Sequence, residues 1–117
     1  AGLHDVPDVV LPPEGAGREH VYHLFVIRCR ARDALRASLA AASIGATVHY
    51  PIALHLQGAF AHLGHRAGDF PCAEAAAREV LALPLYPELS DAAVAAVCAA
   101  VRAWAGTHGG ADRRAAG

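Results

Sequence analysis

Residues Val21 to Arg28 read VYHLFVIR, a run rich in β-branched and aromatic side chains and apolar at both alternating sets of positions. Successive strand residues face opposite sides, so such a run suits a strand covered on each face. It needs other elements to cover it. Arg32 to Ala42 supplies one: Leu35 and Leu39 are four apart among strong helix formers, and Gly45 lies just beyond as a stop. Ala46 to Tyr50 reads as a second short strand, ended by Pro51, which has no N–H for a ladder.

The twenty residues to about Pro71 hold Gly58, Gly64 and Gly68 and read as a long loop with one helical turn near Gln57 to Leu63. Pro71 suits a first helical position and opens a helix to about Leu81 with a narrow stripe of Ala73, Ala76, Ala77 and Val80. Ala82 to Leu85 is a third short strand, closed by the turn Tyr86 to Glu88. Ser90 is a good N-cap, Asp91 favours the positive helix end, and Val94, Val97, Cys98, Val101 and Trp104 line one face of a helix to about Ala105.

This order predicts an α+β fold, a small sheet of about three strands packed against helices. Residues 1–19, with three prolines, form a lead-in mostly without regular structure, in which Val9 to Leu11 is apolar enough to lie against something. Residues 20–105 form the domain and 106–117 a flexible tail. A length of 117 residues suits one domain, and 55% apolar residues suffice for a core. That core is thinly packed, because 29 residues are Ala and only 7 are aromatic.

A formal net charge of -1 gives no general field for nucleic acid or an anionic membrane. No apolar run reaches the roughly 18 to 20 residues of a membrane span. All ten basic Lys/Arg residues are Arg, so no lysine is present to form a Schiff base. Cys29, Cys72 and Cys98 are odd in number and lack a CxxC spacing, which suits reduced core thiols in a cytoplasmic protein.

Eight His invite a metal reading, with His20 and His23, and His62 and His65, three apart. No set has a third ligand at a distinctive spacing, so no metal site is expected. There is no GxGxxG and no P-loop. Arg28, Arg30, Arg32 and Arg36 form a cluster that reads as a solvated face. The stretch HYPIALHLQ, His49 to Gln57, differs: it places two imidazoles, a phenol and an amide at a strand-to-loop exit stiffened by proline, where polar groups can face a ligand while a scaffold holds them.

The segments HVYHLFVIR (20–28), RDALRASLAAASIGATVHYPIALHLQGAF (32–60), FPCAEAAAREVLALPLYPEL (70–89) and DAAVAAVCAAVR (91–102) closely resemble the C-terminal region of the DegT/DnrJ/StrS sugar aminotransferases. Ala53 and Gly58 stand where that family often has proline. The resemblance implies the C-terminal domain of the aspartate-aminotransferase fold (fold type I). It also implies a homodimeric parent using pyridoxal 5'-phosphate (PLP) to aminate a keto sugar, usually nucleotide-linked, with an amino acid such as glutamate as donor. A large domain of the same polypeptide would bind PLP and supply the lysine, so this chain carries no catalytic residue and would be inactive alone. On the substrate side, Tyr50 and His55 would hydrogen-bond sugar hydroxyls or nucleotide phosphate, while His49 and His23 orient the loop and Gln57 supports it. The competing reading is a standalone, non-catalytic α+β binding module.

Overall fold

The computed structural model describes residues 2–108. Its three-stranded sheet is antiparallel throughout, in the order β1 (Val9–Val10), β2 (Phe25–Cys29), β3 (Val80–Leu83). Helices α1 (Arg32–Ala41), α2 (Pro71–Glu79) and α3 (Asp91–His108) accompany it, and two 3₁₀ turns, Leu54–Leu56 and Gly58–Leu63, lie between α1 and α2. The α+β expectation holds: the strands expected at 21–28 and 82–85 are present with shifted limits as β2 and β3, and β1 takes the place of the one expected at 46–50.

The central strand begins four residues later than its composition suggests. Phe25 pairs with Leu83, the last residue of β3. Pro84 follows and has no N–H to extend the ladder, which leaves residues 21–24 without a partner there. Tyr22 instead adopts a left-handed φ of 50°, and Val21 is 90% exposed. The Tyr22 hydroxyl donates to Glu14 at 2.7 Å and its N–H donates to His20 Nδ1 at 2.8 Å, which hold the turn.

The apolar Val9 to Leu11 stretch of the lead-in finds its place as β1, with Val9 opposite Cys29 and Val10 opposite Arg28. Leu3 and Val6 are buried in the same core, so the lead-in is seated on the domain. The expected strand at 46–50 is reduced to a single bridge: Thr47 and Ala82 exchange N–H···O bonds of 3.1 and 2.8 Å on the far side of β3. The chain turns away at once towards Pro51.

Ile27, Leu35, Leu39, Leu81 and Val101 are fully buried and join Trp104 in one core between the sheet and helices α1 and α3. Cys29 is in that core, whereas Cys72 is exposed, so the expectation of a core thiol fails for Cys72. Cys72 follows Pro71 on the outer side of the first turn of α2. Arg32 departs from the solvated cluster too. It is buried, pairs with Asp33 at 2.6 Å, and donates to the carbonyls of Ala77 and Val80, tying α1 to the junction of α2 and β3. Arg28 pairs with Glu79 at 2.7 Å.

Helix α1 ends in a Schellman arrangement, with Ile44 N–H on Leu39 O at 2.9 Å and Ser43 N–H on Ala40 O at 3.0 Å. The left-handed position belongs to Ser43 (φ 59°), not to Gly45. Helix α2 stops at Glu79 rather than Leu81, because Val80 and Leu81 are taken by pairing with Arg28 and Ile27. The Ser90 Oγ accepts from Ala93 N–H at 3.2 Å as the N-cap of α3. That helix continues to His108, three residues beyond the expected end, and the remainder of the expected tail, 109–117, lies outside the described residues.

Candidate functional site

The segment from Thr47 to Glu74 carries the candidate residues and is built mainly from polar contacts. His49 leaves the Thr47 bridge and shares a hydrogen bond of 3.0 Å between its Nε2 and the Thr47 hydroxyl. Its ring meets Tyr50 edge-on, 5.6 Å between centroids, and Tyr50 is 71% exposed with its hydroxyl available to a ligand. The His49–Tyr50 peptide bond is cis. Gln57 turns inward and donates from Nε2 to Ile52 O at 3.2 Å, closing the loop on itself.

His55 differs from Tyr50. Its side chain is only 8% exposed, and Nε2 lies 3.0 Å from Glu74 Oε1, itself on a carboxylate that is 11% exposed. The same carboxylate oxygen accepts the Gly68 N–H at 2.7 Å. That backbone bond first, aided by His55, holds the Glu74 carboxyl below its ordinary range against the opposing effect of burial. A second pair stands beside it: His65 Nδ1 is 3.5 Å from Asp69 Oδ2, which also accepts Arg66 N–H at 2.9 Å. The Arg66 N–H is the leading reason that the Asp69 carboxyl is lowered. Phe70 sits edge-on to both imidazoles, 4.8 Å from His55 and 4.9 Å from His65.

The five candidates therefore fall into different settings. His49 and Tyr50 share an exposed exit, His55 and Gln57 brace the loop from within, and His23 is exposed on the turn ahead of β2. Glu74, Asp69 and Phe70 are not candidates by spacing, and His65 stands out in the sequence only as one of a pair with His62. Glu74 stands 19 residues from His55, and only its place in the FPCAE piece marks it.

Among the described residues, no three His, Cys, Asp or Glu side chains gather as metal ligands, and no helix is long and apolar enough to cross a membrane. A cleft of about 240 Å³ separates the loop at Pro51, Ala53 and Leu56 from Glu74 and Arg78 of α2. An apolar cleft of about 210 Å³, lined by Phe25, Leu83, Leu85, Val94 and Cys98, lies by contrast against α3.

The model of the DegT/DnrJ/EryC1/StrS aminotransferase family matches residues 1–102. The chain belongs to this family. A curated relative from Streptomyces venezuelae, dTDP-3-amino-3,4,6-trideoxy-alpha-D-glucose transaminase, is 40% identical over 105 residues, which are 90% of this chain and 28% of the relative. The crystal structure of S. venezuelae DesV with a ketimine intermediate superposes with a TM-score of 0.86 at 40% identity, covering 89% of this chain and 28% of that one. A sugar aminotransferase from Streptococcus pneumoniae in its PLP form gives 0.78 at 25% identity, covering 91% and 28%. The fold is therefore that of a portion of these fold type I enzymes. The chain spans 22–28% of the length of the first curated relatives it matches.

PLP dependence in the family meets a chemical test in this chain. A transaminase needs a lysine amine for its cofactor, and the sequence contains none. The residues present do not fit PLP.

Proposed function

We propose that this chain is the C-terminal small domain of a PLP-dependent aminotransferase that aminates a keto sugar, nucleotide-linked, in the biosynthesis of amino sugars for polysaccharides or antibiotics. The supporting observation is the family match over residues 1–102 in a chain without lysine. A large domain of the same polypeptide binds the cofactor and supplies the lysine. The small domain, residues 20–105 with its seated lead-in, covers the substrate.

In this reading Tyr50 is the direct contact. Its exposed hydroxyl donates to a sugar hydroxyl or a nucleotide phosphate, a bond worth about 1.5 to 3 kcal/mol when the acceptor is charged. His49, tethered by Thr47, sets the direction of Tyr50. His55 commits Nε2 to Glu74 and has Nδ1 left for substrate. Gln57 keeps the loop closed, and His23 supports it from the approach to β2. The parent works as a cytoplasmic homodimer with an amino acid such as glutamate as donor, and neither nucleic acid nor a membrane is among its partners.

The test is an assay of the full-length protein carrying this chain, with glutamate and dTDP- or UDP-linked keto sugars. Amination of a nucleotide-linked keto sugar, absent when the 117-residue chain is assayed alone, is the expected result. Activity only on non-sugar keto acids would overturn the substrate assignment, and activity in the chain alone would overturn the division of labour.

A further inference from the structure

We infer that Glu74 is a positioning residue that clamps the substrate-side loop through His55, an inference resting on the function proposed above. One oxygen, Glu74 Oε1, takes the imidazole of His55 at 3.0 Å and the N–H of Gly68 at 2.7 Å. It thus joins both ends of the 55–68 segment to one point on a helix. The helix is a firm anchor, because Pro71 sets its first residue and Glu74 N–H closes its first turn on Phe70 O at 3.0 Å.

The segment needs such an anchor. Neither 3₁₀ turn contains a buried residue, and residues 58–70 are all exposed, so apolar burial supplies little to hold them. Gly68 has a φ of 96°, a conformation that favours glycine and aims its N–H at the carboxylate. From His55 the hold passes along a short path. Gln57 ties back to Ile52 O, which leaves only Pro51 between the braced loop and Tyr50. Glu74 is itself mostly covered and acts on the substrate only through this loop.

A clamp of this kind acts on binding the sugar and not on the amino donor. In the full-length enzyme, Glu74→Ala should raise KM for the keto sugar by about tenfold, leave kcat within about threefold and leave KM for the donor unchanged. Glu74→Gln retains an acceptor oxygen and should recover most of the loss. Hydrogen exchange of the same proteins should show amides 54–68 losing protection in Glu74→Ala while those of β2 and α3 keep theirs. An unchanged sugar KM, equal losses for donor and sugar, or protection lost throughout the domain would overturn the proposal. If Glu74→Ala does not fold, Glu74→Gln decides by the same two readouts, with a smaller rise in sugar KM and local loss of protection expected and none contradicting it. Should the wild type aminate no keto sugar, the functional reading fails, and the exchange pattern still decides whether the clamp exists.

Discussion

The sheet with α1 and α3 and the stretch from Tyr50 to Phe70 are held by different forces. In the first, Ile27, Leu35, Leu39, Leu81 and Val101 are removed from water altogether. In the second, Ile52, Leu54, Leu63 and Phe70 remain exposed, and the contacts that shape the chain are His55–Glu74, His65–Asp69 and two backbone N–H groups on the same carboxylates. Burial is non-directional and tolerates exchange of one apolar residue for another of similar shape. Polar staples fix orientation, and they leave the loop's apolar side chains free to face another surface. A rigid half thus carries a half whose geometry depends on charge.

The largest expected effect falls on the rigid half. Leu39→Ala removes a fully buried side chain and should cost about 2 to 5 kcal/mol of stability, read as a lower urea midpoint. A loss under about 1 kcal/mol would show that the core is looser than its burial implies.

Acid should separate the halves. The Glu74 and Asp69 carboxyls are lowered on folding, so their contribution is complete above the ordinary carboxylate range and disappears as pH falls through their depressed values. Amides 54–70 should lose exchange protection on that descent before those of β2 and α3. Simultaneous loss in both regions would erase the distinction.

Ser43→Gly acts within the rigid half by relieving a left-handed backbone at a helix end. It should stabilise by about 0.5 to 1 kcal/mol, seen as a rise in Tm. The smallest effect belongs to the loop surface: Leu54→Ser should change stability by no more than about 0.5 kcal/mol, because Leu54 is already exposed. A larger destabilisation by urea unfolding would mean that the loop shares the apolar core after all.

What could be read from the sequence follows the same division. Helix α1 emerges within one residue of its observed end because Leu35 and Leu39 and their strong helix-forming neighbours are local signals, and Pro71 marks the start of α2 for a similarly local reason. The helical tendency near Gln57 to Leu63 is also present, as a 3₁₀ turn. Strand limits were less legible because they depend on partners: β2 starts where Pro84 stops β3, and Thr47 pairs only once. The loop's candidate residues stood out by chemical type. Their bracing did not, since His55 and Glu74 meet across 19 residues with no periodicity to announce it. Cys72 looked like a core thiol because its small size suits a helix interior, yet its position beside Pro71 points outward.

The most direct test of the account compares the two half-reactions of the full-length protein in wild type and Tyr50→Phe, a change that deletes one hydroxyl. Rapid-quench measurement of amino-sugar formation should fall by about ten- to hundredfold, while release of the keto acid from the amino donor falls much less. Equal losses in both half-reactions would move Tyr50 to the shared catalytic centre, and no loss in either would reduce the His49 to Gln57 loop to scaffold, contradicting the account.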